Sequence, residues 1–171
     1  MIPINEAIEA GAWLQIDKPI KREDRVSSSI TFIYDEIVAV EPRFKFKLIS
    51  FSKVDLTTID NPENLKVSVD CNFWLLKFEL VVLLKESAYF SNFVDMLKLS
   101  DDEGYQFEAF DWTDDFHLCS NSDFAKSSGL ASLNNMKISP KIRKTGALIF
   151  ELPDEFDTLF ITVKDGEISE V

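Results

Sequence analysis

Apolar side chains recur at every second position in several stretches of this chain, and only weakly at helical spacing. In residues 43–54, RFKFKLISFSKV, Phe44, Phe46, Leu48 and Phe51 nearly alternate with Arg43, Lys45, Lys47 and Ser50. A period of two predicts a half-buried strand, with apolar side chains inward and basic ones outward. Residues 27–40, SSSITFIYDEIVAV, alternate in part and are rich in Ile, Val, Phe and Tyr, which predicts a second strand. The Glu41-Pro42 step predicts its end, because proline restricts the residue before it and donates no N–H.

Residues 65–86, LKVSVDCNFWLLKFELVVLLKE, form the most apolar region. Their β-branched and aromatic content favours strand, but the run is too long for one ordinary strand and predicts a bend or bulge at 70–72. The next stretch, SAYFSNFVDMLKLSDDEGYQFEAF, predicts a loop, a strand at 96–99, a turn at 101–104 and a return strand from Tyr105. Gly104 suits that hairpin turn because glycine takes positive φ without strain. Residues 111–135 predict a long polar loop with one helical turn at 122–126. KIRKTGALIFEL (141–152) predicts a strand with Gly146 inside it, stopped by Pro153, and TLFITV (158–163) a last strand before an exposed tail. A short helix is predicted over 5–12, with Ala7, Ile8 and Ala12 on one side and Gly11 weakening it. Many short strands and few helices predict an all-β sandwich or barrel.

The second half also resembles a known family. NFWLLKFELVVLLKES, then MLKLSDDEGYQFEA, then ISPKIRKTGALIFELPDEFDTLFITV are similar in order and pattern to a bacterial immunoglobulin-like domain family of unknown function, often found behind lipoprotein signals. The likeness covers residues 65–163. The family's export signal and low-complexity stretch have no counterpart here, and KESAYFSNF stands where the family has a polar Asn-Gly-type turn. The resemblance implies an immunoglobulin-like antiparallel β-sandwich and a binding role rather than a reaction. On this reading residues 1–26 are an N-terminal arm with its short helix, and residues 27–171 the sandwich domain.

Charge narrows the choice of partner. Thirty acidic residues against eighteen basic ones give a formal net charge of −12. Such a field repels nucleic acid and anionic membranes, so another protein is the expected partner. The longest apolar stretch is interrupted by Lys77 and Glu79, so no membrane span is expected. The start, MIPINEAIEAGAWLQI, has Glu6 and Glu9 and no basic region before an apolar core, unlike a signal peptide. The expected location is cytoplasmic, or extracellular if a leader has been removed. The two cysteines, Cys71 and Cys119, would bridge the sheets in an exported protein and stay buried thiols in the cytosol, the preferred reading.

The residues offer little chemistry. His117 is the sole histidine, and His117-Leu-Cys119 would put two ligands or a dyad on one face of a strand, but without a third ligand at useful spacing. Asp101, Asp102 and Glu103, and Asp111, Asp114 and Asp115, form oxygen-rich clusters that suit calcium or, more simply, turn solvation and capping; EF-hand spacing is absent. There is no Gly-x-Ser-x-Gly elbow and no glycine-rich phosphate loop. No catalytic residue, metal or cofactor is assigned. The candidate partner-binding patch is the set of loop aromatics Tyr89, Phe90, Phe93, Phe110, Trp112 and Phe116, whose alternative is plugging one end of the core. The basic clusters RFKFK and PKIRK read as charge balance or edge protection.

The expected function is therefore a non-catalytic protein-interaction module of immunoglobulin-like type. Two alternatives stand beside it: an acidic inhibitor or nucleic-acid mimic filling a basic groove, and a metal-binding or hydrolytic protein using His117 and the acidic loops.

Overall fold

A computed structural model describes residues 1–27, 30–55, 68–110, 123–133 and 135–171, with the backbone alone for 21–36. In chain order the elements are β1 (Ile2–Pro3), α1 (Ile4–Ala10), β2 (Trp13–Ser27), β3 (Ile30–Lys53), β4 (Cys71–Val82), β5 (Ala88–Tyr89), α2 (Phe90–Met96), β6 (Leu97–Asp101), β7 (Gln106–Phe107), α3 (Asp123–Ser128), β8 (Lys137–Ile138), β9 (Lys144–Pro153), β10 (Leu159–Val163) and β11 (Glu167–Glu170). The protein is mostly β. Two larger antiparallel sheets run in the orders β11-β2-β3-β4-β9 and β1-β10-β6-β7, and β5 pairs with β8.

The inner face of the five-stranded sheet follows directly from the alternation. Leu14 and Ile16 on β2, Phe44, Phe46 and Leu48 on β3, Leu76, Phe78, Leu80 and Val82 on β4, and Leu148, Phe150 and Leu152 on β9 are all buried. They share one cluster with Leu97, Leu99, Leu159 and Ile161 of the four-stranded sheet and with Ile4 and Ala7 of α1. Residues 1–26, expected as an arm, thus supply β1, α1 and β2 and part of the common core. Helix α1 ends at Gly11, in the left-handed region at φ 58°, whose N–H donates back to Ile8.

Four local departures from the sequence reading have physical causes. First, β3 runs on through Pro42. The register steps there from Ile16↔Phe44 to Asp17↔Pro42, and β4 pairs with β3 only from Phe44 onward. Proline therefore sits at a bulge where the strand has one hydrogen-bonded neighbour and no second ladder needs its missing N–H. Second, a register shift between Leu48 and Ser50 leaves Ile49 exposed and turns Phe51 inward, which is why the alternation of this strand is imperfect.

Third, residues 90–96 are helix rather than loop, with Phe90 and Phe93 three apart on the inward face. Phe93 is the hub of an aromatic cluster, with ring centroids 5.5 Å from Phe44, 5.4 Å from Phe46 and 5.3 Å from Phe78. Fourth, the tail is exposed as expected but is also a strand: β11 hydrogen-bonds along the edge of β2. Gly166 permits that return, since a Cβ there would lie 2.7 Å from the Asp17 carbonyl oxygen.

The lack of a clear period in β4 is also explained. Its inner side chains face the common core, while Phe73 and Leu75 join Ala147 and Ile149 in a second cluster on the outer face, under Phe124 and Ala125 of α3 and Leu130. A strand covered on both faces reads as a continuous apolar run. Its expected bend is a turn at Val69–Asp70, with Asp70 at φ 57°.

Candidate functional site

Between Lys18 and Glu41 the two longest strands leave the body. Strand β2 pairs with β11 only over Leu14–Asp17, and β3 pairs with β4 only over Phe44–Lys53, but the two pair with each other out to Ser27↔Ile30. Among the described residues neither strand has a second hydrogen-bonded neighbour in this ribbon. Ten residues of β-strand extend about 30 Å. Four large apolar side chains at its base face water: Ile20 is 40% exposed, Ile37 52%, Val38 54% and Val40 53%. Between Ile20↔Ala39 and Lys21↔Ile37 the register skips Val38, a bulge that places consecutive apolar residues on the surface.

The outer face of the five-stranded sheet divides into two halves. One half lies under α3 and Phe110. On the other, cross-strand partners share a face: Trp13 opposite Lys47, Gln15 opposite Lys45, and Glu79 opposite both Lys47 and Thr145. Lys45 Nζ lies 4.9 Å from the Trp13 ring centroid, the Arg143 guanidinium 5.1 Å and Lys47 Nζ 5.7 Å. A shallow cleft at the foot of the ribbon is lined by Lys18, Arg43, Lys164, Asp95 and Asp165, whose charges nearly cancel.

The aromatic residues singled out in the sequence are dispersed. Phe90 and Phe93 are buried in the common core, 6% and 0% exposed, because α2 turns them inward. Phe110 is half-buried against Phe73 at 5.2 Å, and its N–H donates to the Ile149 carbonyl. Tyr89 alone among the four described is exposed, with Lys137 Nζ 5.6 Å from its ring. Trp112 and Phe116 lie outside the described residues, as do His117, Cys119, Asp111, Asp114 and Asp115. The ribbon went unrecognised because Ile37-Val38-Ala39-Val40 reads as an ordinary core strand. Four consecutive apolar residues without alternation were the available signal.

The acidic turn has a structural use. Asp101 Oδ1 accepts from the backbone N–H of Glu103 at 3.0 Å and of Tyr105 at 2.8 Å, fixing the expected β6–β7 hairpin with Gly104 at φ 92°. Among the described residues no group of three or more His, Cys, Asp or Glu side chains is arranged to hold a metal ion. No described helix is long and apolar enough to cross a membrane. Cys71 is a free thiol whose pKa is pushed up by burial and by Glu151, Asp154 and Asp70, so it stays protonated at neutral pH.

One ion pair carries a pH signature. Lys98, nearly buried on β6, pairs with the exposed Glu108, and its hydrogen bond and charge hold the Glu108 carboxyl below the usual range. A depressed carboxyl stabilises the fold above its unfolded pKa of about 4.3, and that contribution is lost as pH falls through the lower folded value. Glu108→Gln should therefore be less stable than the parent at pH 7, with the gap closing below pH ~4 as that lower value is crossed. Urea unfolding across that range checks it. A gap independent of pH would remove the assignment.

Comparison with known proteins gives no matching family profile and no matching curated protein. Among solved structures, a conserved hypothetical protein from Bacillus anthracis is similar at 11% identity and a TM-score of 0.49, over 91% of this chain and 96% of that one.

Proposed function

We propose that this protein is a non-catalytic interaction module of immunoglobulin-like type that docks another protein through the β2–β3 ribbon. The observation that carries the reading is the exposure of Ile20, Ile37, Val38 and Val40 on a ribbon that, among the described residues, has no second strand beside it. A free strand edge offers unpaired N–H and C=O groups, which natural proteins usually blunt or cover. Extended partners use such edges for main-chain pairing, with side-chain contacts adding specificity. Burying the exposed parts of four aliphatic side chains is worth on the order of 3–5 kcal/mol. Two antiparallel sheets sharing one apolar core support the sandwich reading. The alternative of an acidic mimic is not favoured by the outer sheet face, where Lys45, Lys47 and Arg143 gather around Trp13 in place of a row of carboxylates.

The test is affinity capture from the native host with the parent protein and a Val38→Asp, Val40→Asp variant of unchanged circular dichroism. The partner retained by the parent should bind the variant at least tenfold more weakly. Equal retention by both, or a turnover activity abolished by a single substitution, would overturn the proposal.

A further inference from the structure

The half of the outer sheet face that no described element covers is a second surface, independent of the ribbon's apolar residues. The protein has eighteen basic residues against thirty acidic ones, yet three of the basic residues hold their charges within 5.7 Å of one indole centroid. Packing against Trp13 accounts for one cation; gathering three sets like charges against one another. Among the described residues Glu79 answers only Arg143, at 3.6 Å, and neither Lys45 nor Lys47 has a carboxylate within 4.0 Å. The other acids of this face, Asp17 and its cross-strand neighbour Glu167, stand at the β11 edge, where Asp17 accepts from the Gln15 side-chain amide at 2.8 Å.

We propose that this face binds an extended acidic peptide segment of a partner protein, seated over Trp13 with carboxylates on Lys45, Lys47 and Arg143. The spacing supports an extended occupant. Lys45 and Lys47 are two apart on one strand, so their side chains leave the sheet about 7 Å from each other. Acidic residues at alternate positions of an extended peptide repeat at the same interval. The surface is a sheet face rather than a cavity, which suits a strand-like ligand better than a small anion. A peptide is favoured over nucleic acid because the net charge of −12 repels a polyanion carrying one charge per roughly 1.7 Å of duplex, whereas a few local carboxylates meet mainly the nearby cations.

The experiment is fluorescence anisotropy of the full chain with a labelled decapeptide alternating Glu and Ser, beside its Gln–Ser counterpart and a single-stranded oligonucleotide of ten residues. The Glu peptide should bind at 50 mM salt, weaken at least tenfold at 300 mM, and exceed the Gln peptide at least tenfold. Lys47→Glu should weaken binding at least tenfold and Lys47→Gln severalfold, while Lys85→Glu, the same charge change at an exposed position elsewhere, should leave it within twofold. Equal losses from Lys47→Glu and Lys85→Glu would mean attraction to net charge only and would overturn the site. So would equal binding of the two peptides, tighter binding of the oligonucleotide, or no binding of the Glu peptide to the parent chain. Loss of ribbon-mediated capture with this binding intact would separate the two surfaces.

Discussion

Phe93→Ala should be the most damaging single truncation among the four described aromatic residues singled out by sequence, costing about 3–5 kcal/mol of stability. The ring is fully buried and lies within 5.5 Å, centroid to centroid, of Phe44, Phe46 and Phe78. Its removal deletes a side chain joining a helix to two strands, in a place where three neighbouring rings cannot all move to fill the space. In a chain of this size each kcal/mol lowers Tm by roughly 2–4 °C, so thermal unfolding should shift by on the order of 10 °C. Tyr89→Ala, at a position 53% exposed, should change stability by no more than about 0.5 kcal/mol. Had Phe93 been part of an exposed binding patch, its truncation would cost as little as that of Tyr89. Calorimetry on the two variants decides.

The second large effect is expected at Gly146, inside β9. A Cβ placed there would lie 2.5 Å from Leu133 Cδ1, 3.1 Å from its Cγ and 3.3 Å from Phe78 Cε2. Leu133 is 2% exposed and belongs to the common core, so it has little room to retreat. Gly146→Val should cost about 1–3 kcal/mol or more by overpacking. Leu133→Ala alone should cost about 2–5 kcal/mol by leaving a cavity. Combined, the two should cost less than the sum of the single effects, by roughly 0.5–3 kcal/mol, because the valine occupies the space the leucine vacates. Strict additivity in urea unfolding would show that the glycine is not needed for that close approach.

How far these features were legible in the sequence depended on how many faces of each element are covered. Strand β3 has one covered face over Phe44–Leu48, so its alternation predicted its inward residues correctly. The β6–β7 hairpin was legible because Asp101 and Gly104 are chemically suited to the turn they make. Strand β4 gave apolar content without a period, since α3 covers the face that would otherwise be polar. Helix α2 was missed because seven residues with two inward phenylalanines give too short a helical signal beside a strong strand pattern. The tail was read as free because the closeness of Gly166 to Asp17 is a contact between residues 149 apart in sequence. The candidate surfaces were the least legible. Whether Val38 and Val40 face core or water depends on β4 and β11 stopping short of them, and that is a property of neighbouring strands rather than of the residues themselves.

The way β1 and β11 are paired has a consequence for how the molecule assembles in time. Ile2 is matched with Ile161, and Asp17 with Glu167, so each larger sheet joins an early strand to one of the last two. Loop closure over so many residues is entropically expensive and slow, whereas the β2–β3 ribbon and the β6–β7 hairpin involve mostly near neighbours. On a ribosome the ribbon can form while the strands that complete both sheets are still unsynthesised. For that interval β2 lacks β11 beside it, and its free edge extends beyond the ribbon. Folding yield should then depend on how quickly synthesis delivers β10 and β11.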